Sequence, residues 1–303
     1  MILITGASGF IGGALSDYLE KANFKIRRSA RNKISQKYFT LNLGNASEIE
    51  NSCKEVDVVI HLASLDYLQS EKNFSEAKKI NFQATKKLYK EAVKNNVSKF
   101  IYFSTAHVYG ENLKNFVSEV TDPKPLSNYA KTHLMAEQYL YKNAHKSGTN
   151  VIILRLSNIV GSPNSNKLKA WKYVANDLCL QAHKNKKIIL ESQGLQKRDF
   201  YSLENLLITI KNIINSKENK LINDVFNLGS GNSISIMNLA KMVKLEYEAL
   251  FNIEIDIMSG IKQEIKTDLK YDIRKIKSTN SYYSDFSINK SIRKILKYCK
   301  SEF

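Results

Sequence analysis

Short apolar runs alternate with segments of helical apolar spacing through the first half of the chain. Runs of about four to eight apolar residues are typical of buried strands, and apolar residues every three or four positions are typical of helices. The predicted strands are Ile2–Ile4, Phe24–Arg28, Lys37–Leu43, Val56–Leu62, Lys99–Ser104 and Asn150–Leu154. The predicted helices are Ile11–Lys21, Ala46–Cys53, Ser75–Asn95 and Ser127–His145. Strands that alternate with helices predict an α/β fold, a doubly wound parallel sheet covered on both faces.

This regular alternation ends near Gly161. Helices are predicted at Ala170–His183, Leu203–Ile214, Ile236–Phe251 and Ser287–Cys299, and strands at Lys187–Leu190, Val225–Leu228 and Ile253–Met258. The polar segment Ser162–Asn166 is the predicted boundary. We therefore expect one domain over residues 1–165 and a smaller C-terminal α/β substrate lobe over residues 166–303, with strand 225–228 returning to the first domain.

Composition narrows the class of protein. The 303 residues are 43% hydrophobic with only 3 prolines, so a large core is expected. No apolar run approaches the roughly 20 residues that span a bilayer, and a strand beginning at Ile2 leaves no room for a signal peptide. Cys53, Cys179 and Cys299 lack metal-ligand spacing and are interpreted as reduced thiols. The expectation is a cytoplasmic protein with no membrane partner and no metal.

The chain is strongly basic, with 46 Lys and Arg against 29 Asp and Glu and a net charge of +17. A basic surface can favour nucleic acid or a phosphorylated small substrate. Here the basic residues are scattered, without a run of five or an interleaved aromatic pattern. We therefore expect no nucleic-acid partner.

The first chemical motif is the opening segment MILITGASGFIGGAL, in which Gly6, Gly9 and Gly12 follow a strand and open a helix. Glycines at this spacing allow a tight turn and a close approach of backbone to a pyrophosphate, which then lies on the helix N-terminus. With Phe10 and Ile11 they form the predicted dinucleotide-binding turn of a Rossmann-type domain.

The end of the second strand indicates which dinucleotide is preferred. An acidic residue there would bind the adenosine ribose, but the segment Ile26–Arg31 contains none. Arg31, and with it Arg28, could instead bind a 2′-phosphate. NADP(H) is therefore favoured, and NAD(H) is the alternative.

Seven motifs in order carry a family resemblance: GASGFIG, DVVIHLAS, NFQATKKL with Asn81, FIYFSTAHVYG before Tyr129, LRLSNIVGSP, KRDFYSLENL and FNLGSGNSIS. Over essentially its whole length the chain resembles the extended short-chain dehydrogenase/reductases, the branch of nucleotide-sugar epimerases, dehydratases and ketoreductases. The resemblance implies a nucleotide-diphosphate sugar as substrate and a homodimer formed through the helices Ser75–Asn95 and Ser127–His145.

The resemblance also implies roles for single residues. Thr105 matches the residue that hydrogen-bonds the reacting sugar oxygen, and Tyr129 matches the tyrosine that transfers its proton. The positions that match cofactor contacts are Asn42, Leu43, Leu62, Ala63, Ser64 and Asn81. The positions that match sugar-nucleotide contacts are Asn158 and Arg198, the latter on the pyrophosphate, and His107 is a further candidate to face the sugar.

The chain departs from the family pattern at His133, where a lysine four residues after the tyrosine is expected. Spacing of four places His133 on the helix face of Tyr129, whereas Lys131 points away. A neutral imidazole can bind the nicotinamide ribose, but it supplies charge only while protonated. We therefore expect either a working enzyme that is most active at mildly acidic pH, or a site that binds ligands and turns over poorly.

Three functions stay open at this stage. Ala106 and His107 replace the Asp-Glu pair that follows the catalytic threonine in 4,6-dehydratases, which argues against that reaction. Reduction of a 4-keto sugar nucleotide by hydride transfer is favoured, with an NAD-dependent 4-epimerase as the alternative. A dinucleotide-binding sensor or scaffold on the same fold is the third possibility.

Overall fold

The fold is described by a computed structural model that covers residues 1–32, 34–110, 115–165, 169–262 and 268–303. Its strands are β1 Ile2–Thr5, β2 Ile26–Ala30, β3 Tyr38–Thr40, β4 Val58–His61, β5 Lys99–Thr105, β6 Phe116–Val117, β7 Asn150–Leu156, β8 Asn158–Val160, β9 Lys187–Ser192, β10 Lys197–Ser202, β11 Asp224–Leu228, β12 Ser233–Ser235, β13 Asp256–Lys262 and β14 Lys270–Tyr271.

Its α-helices are α1 Phe10–Lys21, α2 Ala46–Ile49, α3 Tyr67–Lys72, α4 Phe74–Ala77, α5 Ala84–Lys94, α6 Asn128–Ala144, α7 Val174–Asn185, α8 Leu203–Asn215, α9 Ile236–Phe251, α10 Arg274–Lys277 and α11 Ile288–Glu302. A π-helical segment, Lys78–Gln83, joins α4 to α5. Short 3₁₀ turns are found at Ala106–Tyr109, Lys169–Lys172 and Asn219–Leu221.

Seven strands form one parallel sheet in the order β3-β2-β1-β4-β5-β7-β11. Within it Ile4 of β1 lies between Arg28 of β2 and Ile60 of β4. Connections run in opposite directions on either side of β1, so the carboxyl ends of β1 and β4 border the crevice where ligands bind in such folds. The predicted Rossmann-type doubly wound sheet is confirmed.

Successive side chains along the strands point alternately to the two faces of the sheet and form one hydrophobic core on each face. Ile2 and Ile4 pack in one cluster with residues of α1 and α8, whereas Leu3 packs in another with residues of α5 and α6. Because successive side chains of a strand point to opposite faces, a sheet covered on both sides needs apolar residues at every position. This requirement explains why the central strands are nearly continuous apolar runs.

The second half of the chain contributes to both parts of the molecule. Strand β11 pairs in parallel with β7 at the edge of the large sheet, and α8 packs on the cluster that holds α1. A separate core lies among α7, α9, α11 and β9. Residue 166, where the predicted lobe begins, lies outside the described residues, so the division into domains stays a prediction.

Several local predictions differ from the structure. The helix predicted over Ser75–Asn95 is interrupted by the π-helical segment, and the strand predicted at Ile253–Met258 runs instead over Asp256–Lys262. Strand β10, which carries Arg198, was not predicted because its first three residues are charged and its polar and apolar residues do not alternate. No helix in the described part of the chain has both the length and the apolar character to span a bilayer.

Candidate active site

The glycine turn packs backbone against backbone. Gly6 has a φ of +68°, and a Cβ added there would lie 3.0 Å from the backbone nitrogen of Ala63. A Cβ on Gly12 would lie 2.3 Å from the carbonyl oxygen of Gly6, closer than any real contact. Gly9 donates its N–H to that same carbonyl at 2.9 Å and begins α1 without a side-chain cap. The turn therefore requires glycine and leaves the N-terminus of α1 at the crevice.

The loop after β4 is held against this turn by Thr5. The Thr5 hydroxyl accepts the backbone N–H groups of Leu62 and Ala63, both at 3.1 Å, and lies 2.7 Å from Nδ1 of His61. Nε2 of His61 lies 2.8 Å from the hydroxyl of Thr85. Burial lowers the pKa of His61 to about 3, so its ring is a neutral structural link. Ser64, the next predicted cofactor contact, is exposed beside this loop.

Asn81 supports the same loop from behind. Its Oδ1 accepts the N–H of Leu65 at 2.7 Å, and its Nδ2 donates to the hydroxyl of Thr132 at 3.1 Å. The side chain is 1% exposed, with its amide already bonded to the protein. Asn81 thus positions the loop against α6, and the predicted direct contact with the cofactor is corrected to an indirect one.

The two arginines at the end of β2 have different environments. Arg28 is buried and donates to the carboxylates of Asp17 at 2.6 Å and Glu20 at 2.8 Å, so the expectation that it binds a 2′-phosphate is wrong. The carboxylates come from α1, the helix directly before β2 in the chain. Arg31 follows the strand and is exposed, which keeps it as the candidate for that contact.

Around the predicted adenine position, Oδ1 of Asn42 accepts the N–H of Gly44 at 3.0 Å and the backbone N–H of Asn42 donates to Glu48 at 2.6 Å. Leu43 is buried beneath this turn. At the other end of the crevice Phe10 packs against Tyr173, with ring centroids 5.8 Å apart, and Ile11 is half-buried. Asn42 and Leu43 thus follow the carboxyl end of β3, as Phe10 and Ile11 follow that of β1 in the same parallel sheet.

Thr105 and Tyr129 reach the crevice from neighbouring elements. Thr105 is the last residue of β5, and its hydroxyl accepts the N–H of His107 at 3.2 Å. Tyr129 lies in the first turn of α6, which Ser127 caps by accepting the N–H of Ala130. Helix α6 packs against β5 and the 3₁₀ turn that follows it. The fold therefore brings together the end of the strand and the start of the helix.

His133 lies one helical turn beyond Tyr129, and the two rings contact edge to face at a centroid distance of 4.4 Å. The side chain is 3% exposed. Nδ1 lies 2.8 Å from the hydroxyl of Tyr102, whereas the buried Nε2 has no hydrogen-bond partner among the described residues. A buried polar atom without a partner is costly, so Nε2 has an unused position for one further hydrogen bond.

The electrostatics of the pair favour two neutral rings. Burial and the nearby charge of His107 lower the pKa of His133 to about 3. Burial also raises the pKa of Tyr129 above its ordinary value, and the nearby Tyr173 and Asp66 raise it further. An imidazole with so low a pKa is not protonated at mildly acidic pH. The low pKa argues against the expectation that imidazolium replaces the lysine charge near pH 6.

Three of the four predicted substrate residues, all except Thr105, line a second cavity. Its lining includes His107, Asn158, Gln196, Arg198 and Asp199. Nδ2 of Asn158 donates to the carbonyl of Asp199 at 2.9 Å, and Nη2 of Arg198 donates to Oε1 of Gln196 at 2.9 Å. The ring of His107 lies 6.5 Å from that of Tyr129 and links the cavity to the tyrosine.

Three residues at the site were not found from the sequence. Tyr102 contacts His133 across 31 positions, and Tyr173 packs on Phe10 from beyond the predicted boundary. Gln196 orients Arg198 from two residues before it. Alternation along β5 could have indicated that Tyr102 faces α6, but no local pattern singles out Tyr173.

The arrangement fits a nicotinamide dinucleotide. The glycine turn has room for backbone only, the N-terminus of α1 opens on the crevice, and the unpartnered Nε2 of His133 lies beside the tyrosine. These residues would hold the pyrophosphate at one end and a ribose oxygen at the other. Among the described residues no group of three His, Cys, Asp or Glu side chains is placed to bind a metal ion.

Comparison with known proteins agrees with this geometry. The model of the NAD dependent epimerase/dehydratase family matches residues 2–229. An uncharacterized UDP-glucose epimerase of Bacillus subtilis is 25% identical over 263 residues, which are 80% of this chain and 81% of that protein.

Two solved structures are similar in fold over the whole chain. The protein RMD of Pseudomonas aeruginosa, complexed with NADPH, has a TM-score of 0.82 at 20% identity and covers 100% of this chain and 99% of its own. The UDP-glucuronic acid 4-epimerase of Bacillus cereus, in complex with UDP-glucuronic acid and NAD, has a TM-score of 0.81 at 22% identity, with coverage of 100% and 99%. With its sheet, its glycine turn and its Thr–Tyr pair, the chain belongs to the NAD-dependent epimerase/dehydratase family, the extended short-chain dehydrogenase/reductases.

Proposed function

We propose that this enzyme reduces the 4-ketone of a nucleotide-diphosphate sugar, with NADPH as the preferred cofactor. The observation that carries the proposal is the contact between Tyr129 and the buried imidazole of His133. Neither ring bears a charge at neutral pH, since burial lowers the pKa of the histidine and raises that of the tyrosine. The resting site therefore contains a phenol that retains its proton.

A protonated tyrosine is in the state that reduction requires. As hydride reaches the carbonyl carbon, the oxygen gains negative charge and takes a proton from an acid placed within hydrogen-bond reach. Oxidation of a sugar hydroxyl, the first step of 4-epimerisation, needs the opposite state, a phenolate that accepts a proton. A fixed positive charge beside the tyrosine would favour that phenolate, and a neutral imidazole does not.

Thr105 also supports reduction of the ketone over oxidation of the hydroxyl. Its oxygen accepts the N–H of His107, so its own hydroxyl hydrogen is available to donate toward the crevice. In our proposal Thr105 and Tyr129 both donate to the ketone oxygen of the sugar. Bound NADPH supplies the hydride.

The remaining residues bind and orient. Arg198, oriented by Gln196, would pair with the pyrophosphate of the sugar nucleotide, while Asn158 and His107 contact its sugar side. His133 would bind the nicotinamide ribose, and the glycine turn the dinucleotide pyrophosphate. Arg31, exposed directly after β2, supports NADPH over NADH.

The test is a turnover assay of purified protein with a 4-keto sugar nucleotide and either NADPH or NADH. We expect one NADPH oxidised for each ketone reduced, with NADH used less efficiently. Interconversion of C4 epimers without net cofactor consumption would replace the proposal with an epimerase. Tight binding of dinucleotide and sugar nucleotide without either reaction would indicate a sensor.

The homodimer and the cytoplasmic location stay predictions. Tyr141 on α6 is an exposed aromatic residue of the predicted interface, but α5 and the π-helical segment beside it carry several exposed lysines. Like charges brought together by a two-fold axis would oppose association at low salt. Light scattering at low and high salt would test for a dimer.

A further inference from the structure

The imidazole of His133 has a hydrogen-bond partner on β5, 31 positions before it in the chain. Successive residues of β5 point to opposite faces of the sheet, and Tyr102 lies on the face covered by α6, in the same cluster as Phe100. Its side chain is 2% exposed, and its hydroxyl reaches Nδ1 of His133 at 2.8 Å. The two rings lie at an interplanar angle of 32° with centroids 5.9 Å apart. The hydrogen bond therefore lies inside the core.

Counting donors and acceptors assigns the tautomer. If Nδ1 carried the proton and donated to Tyr102, both the phenolic hydrogen and the lone pair of Nε2 would lack partners among the described residues. If Tyr102 donates to Nδ1, Nε2–H is the one group of this pair that lacks a partner among the described residues. Each buried polar group without a partner costs free energy, so the second arrangement is the more stable. Nε2 is then a donor.

Titratable groups on every side leave this ring neutral. Tyr102 faces it from β5, Tyr129 from its own helix and His107 from the 3₁₀ turn, while His61 lies beyond Tyr102 at a ring distance of 5.7 Å. Burial and the charge of His107 both disfavour the imidazolium. The ring can therefore offer one hydrogen bond from Nε2, but no charge.

We propose that Tyr102 is a positioning residue: its hydroxyl holds Nδ1 of His133 and thereby presents Nε2–H as a fixed donor to a ribose oxygen of the bound dinucleotide. A lysine ammonium carries three donors on a flexible stem and needs no such support. An imidazole has one donor in a fixed direction, so the group that holds its other nitrogen decides where that donor points. The cofactor contact rests on the proposed function, whereas the tautomer does not.

The test combines spectroscopy with binding and uses three variants. Tyr102→Phe removes the hydroxyl and keeps the ring. Tyr89→Phe is the matched control, because it removes a hydroxyl bonded to Ser147 at 2.8 Å in the same core cluster, away from His133. Nitrogen-15 spectra of histidine-labelled protein identify the tautomer, and the resonance missing in His133→Gln assigns it among the five histidines.

In the wild type we expect the Nε2–H tautomer, unchanged from about pH 5.5 to about pH 8. Tyr102→Phe should mix the tautomers or allow protonation and weaken NADPH binding by about 3- to 10-fold, the effect of one hydrogen bond. Tyr89→Phe should change neither. An Nδ1–H tautomer or an imidazolium in the wild type would overturn the assignment, whether or not the variant folds.

The binding measurements distinguish a failure of the positioning role from a failure of the proposed function. Wild-type affinity and an unchanged His133 spectrum in folded Tyr102→Phe would overturn the positioning role alone. Absence of NADPH and NADH binding in the wild type would overturn both the proposed function and the cofactor contact, because no ribose would then reach Nε2.

Discussion

The rings of Tyr129 and His133 lie 4.4 Å apart, one helical turn from each other on α6, at an angle of 61°. In most enzymes that this chain resembles the second position is a lysine, so a permanent charge would stand where this protein has a neutral ring. The site therefore retains the hydrogen bond of that position without its electrostatic effect. The first prediction follows from this difference.

Replacement of His133 by lysine should restore the charge. An ammonium near the phenol stabilises the phenolate and lowers the pKa of Tyr129, since a cation within about 4–6 Å can lower an acidic pKa by one unit or more. We expect oxidation of the 4-hydroxyl sugar nucleotide at neutral pH to rise at least about 10-fold, with a smaller change in reduction. The control is His133→Gln, which adds no charge. An unaltered pH profile of oxidation in the lysine variant would contradict the argument.

The buried histidines predict acid sensitivity of the fold. Burial lowers the pKa of both His61 and His133 to about 3, against about 6.5 in the unfolded chain. The unfolded state therefore binds more protons between these values, so stability is present above about pH 6.5 and is lost as pH falls toward 3. Each histidine should cost roughly 1 kcal/mol per pH unit in that window.

Urea unfolding at several pH values measures this loss. The slope of unfolding free energy against pH should decrease in His133→Gln, whereas His145→Gln, on an exposed position at the end of α6, should follow the wild type. Equal slopes in all three proteins would show that His133 does not titrate between the two states.

The two arginines near the end of β2 should respond differently to removal. Arg31→Ala should weaken NADPH binding by about 10-fold and leave NADH binding unchanged, because only NADPH carries the 2′-phosphate. Arg28→Ala should instead lower stability by about 1 kcal/mol, since it leaves Asp17 and Glu20 unpaired, although solvent screens these half-exposed carboxylates. Dissociation constants for both cofactors, together with thermal unfolding, separate the effect on binding from the effect on stability. If only Arg28→Ala lost the preference for NADPH, the roles assigned to the two arginines would be reversed.

Gly12→Ala tests the glycine turn. The new Cβ would lie 2.3 Å from the carbonyl oxygen of Gly6, so α1 must move away from the turn that binds pyrophosphate. We expect dinucleotide affinity to fall by more than about 10-fold. Gly148→Ala is the control, because nothing lies within 4 Å of its added Cβ. Normal affinity in Gly12→Ala would place the dinucleotide elsewhere.

Arg198→Ala should act on the sugar nucleotide and not on the cofactor. Its guanidinium lies in the second cavity beside Gln196, where a pyrophosphate would form charge-assisted hydrogen bonds. We expect KM for the sugar nucleotide to rise by about 10- to 100-fold with the dissociation constant of NADPH unchanged. Lys197→Ala is the comparison, because Lys197 also lines the cavity but its charge is paired with Asp268 at 2.5 Å. An equal effect of both variants would indicate general charge attraction only.

Much of the site could be predicted because its signals are local. The turn around Gly6 and Gly12 is a short segment with one steric requirement, and the spacing of Tyr129 and His133 fixes them on one helix face. Near-continuous apolar strands likewise predict a sheet covered on both faces. Bounds were less accurate at β3, where only three residues define the pattern, and at β13, where Ser259 and Gly260 interrupt the apolar residues.

The sequence by itself determined the parallel sheet, the glycine turn and the elements that carry Thr105, Tyr129 and His133. The tertiary structure decided what those groups can do. Arg28 is paired with two carboxylates of α1, and His133 is neutral because the fold buries it and places His107 nearby. The charge state of a side chain depends on its burial and on neighbours from other elements of the fold, and neither is encoded in the spacing of residues within one element.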